Sequence, residues 1–173
     1  RRSIRAYGDR PVEREKLEAV LRAGNQAPIF GRLHMSVFAG PEQLQAVDAA
    51  AVAGMARSGV PFLENLAAQE GYHPLYGAAA LVVLSAPGGL DEKGFNMANV
   101  SCAAENMLLA AAGLGLGSCF LMGPMAAFSD PALRARLELP GGYEPRVGVA
   151  LGYAALERPA APERTDAGLT WCR

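Results

Sequence analysis

The stretch MANVSCAAENMLLAAAGLGLGSCFLM, residues 97–122, predicts the centre of the fold. Residues 97–114 have helical spacing and are apolar nearly all round, which is typical of a helix that is enclosed by other elements or by a second subunit. Gly115 and Gly117 end this helix, and residues 118–122 (SCFLM) form the next strand or extended segment.

Weaker patterns on both sides of this stretch predict the remaining helices and strands. Helices are expected at 12–24, 42–57 and 129–136, and strands at 35–39, 79–85 and 146–153. The strand at 79–85 is apolar throughout, so we expect it to be buried at the centre of a sheet. Residues 58–77 mix Gly, Pro and aromatic residues, and they are predicted to be irregular or to contain a short helix.

The order of these elements indicates an α+β fold, because no regular βαβ alternation is present. We expect a sandwich in which helices surround a small mixed, mainly antiparallel sheet. One domain would cover residues 1–153. Residues 154–173 are polar and rich in Pro and Ala, and they are predicted to form a C-terminal arm.

Composition narrows the class of protein. The chain has 173 residues and is 51% hydrophobic and 19% charged, which is ordinary for one globular domain. A net charge of −1 excludes a strong general attraction for nucleic acid or an anionic membrane. The chain has no run of about 20 apolar residues, so no transmembrane helix is predicted.

The three cysteines, Cys102, Cys119 and Cys172, lack C-x-x-C spacing. We therefore expect free thiols, no metal site and a cytoplasmic protein.

No self-contained catalytic motif is visible. The chain lacks a P-loop, a G-x-S-x-G elbow and an H-E-x-x-H helix, and its two histidines leave little for a nucleophile pair. The glycines at 113–117 follow a helix and precede a strand, which is the reverse of a dinucleotide-binding loop. We therefore expect either a binding protein or chemistry that is borrowed from a cofactor.

The N-terminal segment RRSIR, residues 1–5, is the strongest candidate for a ligand site. In extended backbone Arg1, Ser3 and Arg5 project to one face and Arg2 projects to the other. A hydroxyl between guanidinium groups is a good receptor for a phosphate or a polyol. The pattern alone is equally compatible with a solvated basic terminus.

Several motifs together resemble the FMN-dependent nitroreductase family. The opening RRSIRAYGDRPV and the helix KLEAVLRAGNQAP are similar to the start of that family, and PLYGAAALVVLS resembles its central strand. NVSCAAENMLLAAAGLGLGSCFLMG resembles its long core helix and following strand, and RVGVALGY resembles its last strand. These motifs occur in the family's order over most of the chain. The resemblance implies a nitroreductase-like, dimeric α+β sandwich.

The resemblance also implies a set of FMN-binding residues. Arg1, Arg2 and Ser3 match positions that hold the phosphate and ribityl chain, and Arg5 matches a basic position near flavin N1 and O2. A fixed cation there favours the reduced, anionic flavin, and no other side chain is assigned a catalytic role. The backbone of Leu121, Met122 and Gly123 would face flavin N5. In the arm, Arg164 matches a second phosphate-contacting position.

The segment after Ala27 departs from the family pattern. Family members carry small polar residues there, which reach the flavin of the partner subunit. Arg32 stands where Asn is usual, and Ser36 stands where Trp is usual. We expect the wall that the partner subunit contributes to be altered; its residues here are Pro28, Ile29, Phe30 and Arg32.

The implied function is that of an FMN-dependent oxidoreductase with NAD(P)H as co-substrate. NAD(P)H would reduce FMN, and a nitroaromatic, a quinone or a similar acceptor would reoxidise it in a ping-pong cycle. One alternative is a specialised flavin reaction such as reductive dehalogenation. Another is a flavin-binding storage or redox-sensing protein without turnover. The implied partners are a second copy of the chain, with FMN at the interface, and a small-molecule acceptor, but no nucleic acid or membrane.

Roles can also be suggested for four further residues. His34 fits either a structural role or a pocket wall. His73 and Tyr76 fit either an exposed loop or the mouth of a pocket. Trp171 is expected to anchor the arm on the neighbouring subunit.

Overall fold

A four-stranded antiparallel sheet forms the centre of the molecule. The computed structural model describes residues 1–89, 91, 94–157, 160, 163 and 168–172. The strands are β1 (His34–Phe38), β2 (Ala80–Pro87), β3 (Gly117–Leu121) and β4 (Tyr143–Gly152). They lie in the order β1-β2-β4-β3, and each neighbouring pair is antiparallel. One parallel bridge, between Ser3 and Ser118, adds the N-terminal segment beside β3.

Helices cover both faces of this sheet. They are α1 (Arg14–Asn25), α2 (Pro41–Met55), α3 (Pro61–Ala67), α4 (Phe95–Gly113), a 3₁₀ helix (Gly123–Ser129) and α5 (Pro131–Ala135). The even-numbered residues of β2, from Ala80 to Ala86, pack with α1 and α4. Leu81 and Val83 pack with α2 and the 3₁₀ helix. Both faces are covered, which fits a strand that is apolar from Ala80 to Leu84 and has a buried Ser85, and the predicted α+β sandwich is confirmed.

The predicted elements lie close to the observed ones, with differences at their ends. Residues 58–77 contain α3, which is the short helix that the mixed composition allowed for. Asp130 caps α5, because its carboxylate accepts the backbone N–H groups of Ala132 and Leu133 at 2.8 and 3.1 Å. The last strand begins at Tyr143 rather than at 146, since pairing with β2 continues to Pro87. The 3₁₀ helix was not predicted, because its sequence lacks helical periodicity.

Two glycines allow the N-terminal segment to lie directly on the sheet. A Cβ atom at Gly117 would stand 3.0 Å from the Ile4 side chain, and one at Gly152 would stand 2.8 Å from the Tyr7 ring. Ile4 and Tyr7 are both buried. The residues between and before them, which include the predicted basic site, are therefore held at fixed positions along β3 and the end of β4.

Candidate functional site

The predicted phosphate-binding residues lie beside the first residues of β3. The Ile4 N–H donates to the Ser118 carbonyl at 2.9 Å, which extends the sheet by one short parallel pairing. Ser3 is thus three residues away from Leu121 along the strand. At a rise of about 3.3 Å per residue, this separation is on the order of 10 Å. One edge of the sheet therefore carries both the basic cluster and the start of the predicted N5-facing turn.

Arg1 and Arg2 differ in the partners of their guanidinium groups. The Nε atom of Arg1 lies 3.1 Å from Glu105 Oε1 of α4, and the pair is partly exposed. The Nε atom of Arg2 is buried and has no hydrogen-bond partner among the described residues. A buried, unpaired guanidinium nitrogen is costly unless an acceptor satisfies it. Arg2 is therefore the member of the cluster that requires an added hydrogen-bond acceptor.

Cys119 of β3 is buried and interacts with Ser3 and Arg5 of this cluster. Burial raises the pKa of its thiol above the usual range, while Arg5 and the hydroxyl of Ser3 oppose that rise. The thiol is consequently a neutral, packed group at neutral pH. The interaction with Ser3 and Arg5 shows that the described residues bring Ser3, Arg5 and Cys119 together at this edge.

The turn at residues 121–123 leaves the sheet and begins the 3₁₀ helix. Leu121 is buried, whereas the Met122 side chain is 57% exposed. Gly123 lies against Met55, and a Cβ atom there would stand 3.4 Å from the Met55 sulfur. At Gly54 of α2 a side chain would collide with the Ala126 carbonyl, so this glycine lets the 3₁₀ helix approach α2. The backbone of the turn is positioned by packing, independently of the Met122 side chain.

A cavity of about 970 Å³ opens next to Arg5. It lies between the N-terminal segment, the start of α2 and residues 69–79. Leu44 and Leu75 form apolar parts of the cavity wall. The polar side chains of the wall include Arg5, Asp48, Tyr72, His73 and Tyr76. Its volume is at the upper end of the range for small-molecule sites. Of the predicted FMN-binding residues that the structure describes, Arg5 lines this cavity.

Burial changes the ionisation of two tyrosines in the cavity wall. Burial raises the pKa of Tyr7 far above its usual value, and the Tyr7 hydroxyl donates to the Ala150 carbonyl at 3.5 Å. Burial and the neighbouring Tyr76 raise the pKa of Tyr72 to about 12. Both phenols therefore remain protonated at neutral pH and present O–H groups rather than charges.

The segment at residues 28–32 lies away from this cavity. Its central residue, Phe30, is tied to α4, because the Phe30 N–H donates to Asn99 Oδ1 at 3.0 Å and Asn99 Nδ2 donates to the Phe30 carbonyl at 2.6 Å. Pro28, Phe30 and Arg32 are exposed, and Ile29 packs partly on the core. None of Pro28, Ile29, Phe30 and Arg32 belongs to the lining of the cavity.

His34 and Ser36 both serve the fold. His34 Nε2 lies 3.1 Å from the Leu137 carbonyl, and the Ser36 hydroxyl donates to the same oxygen at 2.7 Å. These contacts correspond to the structural reading of His34. His73 and Tyr76 line the cavity, although the His73 side chain is 70% exposed. The predicted residue Arg164 lies outside the described residues.

Asp48 was missed by the sequence analysis. It is a single carboxylate in the Ala-rich helix α2, and its partners are 25 and 27 residues away along the chain. Its isolation among apolar residues was the local signal that was available. Asn99, which fixes Phe30, was missed for the same reason: its partner is 69 residues away.

Comparison with known proteins identifies the family. The profile of the Nitroreductase family matches residues 1–153. The chain belongs to the nitroreductase family. The fold and the order of the motifs that suggested this resemblance are thereby confirmed.

Individual relatives agree with this assignment. A protein of Archaeoglobus fulgidus named "Putative NADH dehydrogenase/NAD(P)H nitroreductase" is 32% identical over 163 residues, which are 91% of this chain and 83% of that protein. A nitroreductase with bound FMN from Bacteroides fragilis is 29% identical with a TM-score of 0.85, over 100% of this chain and 95% of that one. An FMN-bound nitroreductase from Desulfitobacterium hafniense has the same fold, with a TM-score of 0.85 at 23% identity over 100% and 94% of the two chains.

In this nitroreductase a polar clamp holds the N-terminal segment to the end of β4. The Tyr153 hydroxyl donates to Glu13 Oε2 at 2.7 Å and accepts from Lys16 Nζ at the same distance. Arg10 donates to Glu13 Oε1 at 2.6 Å, and its guanidinium lies 4.1 Å from the centre of the Tyr153 ring. The hydrogen bond from Tyr153 is the largest contribution that lowers the pKa of Glu13, to about 2.

We predict that the clamp makes stability depend on pH in a defined window. A carboxylate whose pKa is lowered in the folded state stabilises that state above its unfolded pKa, and the contribution is lost as pH falls toward the folded pKa. The difference in the free energy of unfolding between wild type and Glu13→Gln should be constant near neutrality. It should shrink as pH falls from 4.5 toward about 2. Urea denaturation over a pH series measures it.

Glu15→Gln is the matched control. It removes one carboxylate, as Glu13→Gln does, but Glu15 makes no hydrogen bond to Tyr153 among the described residues. This variant should show the smaller difference from wild type at neutral pH. Equal effects of the two substitutions, or a Glu13→Gln difference that is unchanged at pH 3, would contradict the assignment of the clamp.

Proposed function

We propose that this nitroreductase binds FMN and transfers electrons from NAD(P)H to a nitroaromatic, a quinone or a similar acceptor in a ping-pong cycle. Bound FMN would supply the hydride chemistry. The chain itself would bind and orient the flat reactants, place charged side chains beside them and exclude water. NAD(P)H is held in the cytoplasm, so the proposal includes a cytoplasmic location.

The observation that carries the proposal is the unsatisfied guanidinium nitrogen of Arg2. It is buried beside Ser3 and has no hydrogen-bond partner among the described residues. A phosphate oxygen would satisfy it with a charge-assisted hydrogen bond, and the Ser3 hydroxyl and Arg1 are close enough in sequence to add two more donors. The donor set at the N-terminus therefore fits the phosphate of FMN.

The other predicted contacts would extend from this phosphate group along the sheet edge. Arg5 is exposed at the cavity, where its cation would lie near flavin N1 and O2 and favour the reduced form. The backbone of Leu121, Met122 and Gly123 would face N5. Because backbone groups make these contacts, the exposed Met122 side chain is free to vary. Arg164 would add a second phosphate contact from the arm.

The segment from Pro28 to Arg32 would act across a homodimer interface. It does not line the cavity of its own chain, which is the arrangement expected if Pro28, Ile29, Phe30 and Arg32 cover the FMN of the partner. The Phe30 ring is 78% exposed and packs on Phe95 at 5.6 Å between ring centres. An exposed aromatic side chain on a fixed backbone is typical of an interface.

Exposed apolar side chains on α4 and in the arm support the dimer. Phe95, Cys102 and Leu109 are spaced by seven residues on one stripe of α4, and all three are exposed. In the arm, Leu156, Leu169 and Trp171 are 73%, 61% and 81% exposed. Burial of these surfaces against a second copy would remove their cost in water. We therefore assign residues 1–153 to the domain and 154–173 to an arm that packs on the partner.

Anaerobic reduction tests the proposed activity directly. Protein that has been reconstituted with FMN should lose its flavin absorbance when NADH or NADPH is added, and the absorbance should return when 1,4-benzoquinone or a nitroaromatic follows. Bleaching by neither nucleotide, in protein that binds FMN, would contradict the enzyme and support flavin storage or redox sensing. Protein that cannot bind FMN would contradict both functions.

We predict that Arg2→Ala lowers the affinity for FMN at least tenfold. Loss of a charge-assisted hydrogen bond costs about 1.5–3 kcal/mol, and each 1.4 kcal/mol is about a tenfold change in Kd. Quenching of flavin fluorescence during titration of the apoprotein measures this change.

Arg14→Ala is the control for Arg2→Ala, because Arg14 is exposed on α1 and pairs with Glu18 at 2.8 Å. It removes an equal charge away from the cluster and should leave the affinity unchanged. Arg2→Lys should restore part of the affinity, since it keeps the charge but lacks the Nε–H donor. An Arg2→Ala protein with wild-type affinity would contradict the phosphate assignment.

We predict that the protein sediments as a dimer at micromolar concentration and that Leu109→Glu shifts it toward monomer. The Leu109 side chain is 54% exposed in one chain, so a glutamate is tolerated by the monomer, but its charge would be buried at the interface. Arg57→Glu is the control at an exposed site outside this stripe. A wild-type monomer in sedimentation velocity would overturn the dimer.

A further inference from the structure

An aspartate–histidine pair lies in the wall of the cavity and is not used by the proposed flavin contacts. His73 Nδ1 lies 2.7 Å from Asp48 Oδ2. The other oxygen of Asp48 accepts the Leu75 N–H at 2.8 Å. The Asp48 side chain is 15% exposed, whereas that of His73 is 70% exposed. The carboxylate is thus anchored by α2 and the loop, and the imidazole extends toward the open side.

The pairing defines which imidazole nitrogen is available to a ligand. Asp48 can only accept, so it keeps the hydrogen of His73 on Nδ1. The Nε2 atom has no hydrogen-bond partner among the described residues. When the imidazole is protonated, Nε2–H is a free donor at the cavity wall. When it is neutral, Nε2 is a free acceptor.

The backbone next to the pair is held in an uncommon conformation. Tyr76 has φ = 56° and Gly77 has φ = 75°, so two successive residues adopt the left-handed region. This region is unfavourable for a tyrosine, and it is kept only where surrounding contacts require it. The Tyr72 and Tyr76 rings pack edge to face at 6.3 Å between centres. The turn therefore directs one imidazole and two aromatic rings toward one cavity.

We propose that His73 is the proton donor to the acceptor during its reduction, and that Asp48 is its positioning residue. This inference rests on the proposed function, which supplies a hydride. Hydride transfer to a quinone delivers two electrons and one proton and leaves an oxyanion. The Nε2–H bond of the His73 imidazolium breaks, and a lone pair of that oxyanion forms the new O–H bond. The hydroquinone and a neutral imidazole result, and the exposed imidazole regains a proton from water.

Charged and titratable side chains from three parts of the chain line the cavity beside His73. Asp48 comes from α2, and its Oδ2 atom lies 2.7 Å from His73 Nδ1. The others come from the N-terminal segment and from the loop of His73 itself; they are Arg5, Tyr7, Asp9, Glu70, Tyr72 and Tyr76. Tyr72 is neutral, because its pKa is raised to about 12.

The oxidation of pre-reduced protein by 1,4-benzoquinone tests this step separately from reduction by NAD(P)H. The wild-type rate should fall as pH rises, because a neutral imidazole with its hydrogen on Nδ1 has no Nε2–H to donate. His73→Gln should be at least about tenfold slower at pH 6 and should lose this pH dependence. Reduction of the variant by NAD(P)H should keep the wild-type rate. His34→Gln, which alters the other histidine of the chain, should behave as wild type.

Binding of an oxyanion that cannot be reduced provides a readout without turnover. Pentafluorophenolate stands in for the oxyanion of the product and reports its environment by fluorine NMR. Above the pH at which the probe is fully ionised, its affinity for the wild-type holoprotein should fall as the His73 imidazolium loses its proton. It should be about tenfold weaker in His73→Gln at pH 6. Nitrogen-15 NMR should find neutral His73 with its hydrogen on Nδ1, and Asp48→Asn should shift this hydrogen to Nε2.

The outcomes separate this inference from the proposed function. Wild-type protein that is not reduced by NADH or NADPH overturns the proposed function and the redox step with it. Protein that is reduced normally, but whose His73→Gln variant keeps the wild-type rate and pH profile with benzoquinone, overturns the inference alone. Equal binding of pentafluorophenolate by wild type and His73→Gln overturns it as well. A wild-type tautomer in Asp48→Asn would remove Asp48 from its positioning role.

Discussion

The contact of the N-terminal segment with the sheet is the constraint on which the site depends. Ile4 and Tyr7 are buried against β3 and the end of β4, and the absence of side chains at Gly117 and Gly152 makes this approach possible. The polar clamp of Arg10, Glu13, Lys16 and Tyr153 secures the following residues. Arginines at a chain end would otherwise be solvated and mobile. Here their backbone is a pseudo-strand of the sheet, so their charge has a defined location.

This anchoring gives a nearly neutral chain a local cluster of positive charge. The 16 basic and 17 acidic side chains cancel overall, but the cancellation is not local. Glu105 pairs with Arg1, whereas the Nε atom of Arg2 is buried without a partner among the described residues. Arg2 is therefore the residue that needs an added hydrogen-bond acceptor. The neighbouring cavity has a different character, because carboxylates, tyrosines and a histidine surround one exposed arginine. The two regions meet at Arg5, which belongs both to the basic cluster and to the cavity lining.

Patterns with a short period could be predicted from the sequence because local backbone geometry imposes them. The apolar run at 79–85 became β2, since a strand that is covered on both faces has apolar residues at nearly every position. The apolar helix at 97–114 became α4, and its exposed stripe of Phe95, Cys102 and Leu109 is the part that a subunit interface would cover. The pairing of Asp48 with His73 could not be predicted in this way. It joins a helix to a loop 25 residues away, and no local pattern encodes which carboxylate meets which imidazole.

The sequence by itself determined the class of fold, the order of its elements and the family, because periodicity and motif order are properties of the chain alone. It also marked Arg1, Arg2, Ser3 and Arg5 as a group, since neighbours in an extended segment cannot be far apart. Only the tertiary structure decided how these residues divide: Arg1 is paired, Arg2 Nε is buried without a partner among the described residues, and Arg5 lies at a cavity. It also decided that Phe30 is tied to Asn99 of α4 and that Asp48 pairs with His73. These outcomes depend on burial and on distances between remote segments, which packing sets and local sequence does not.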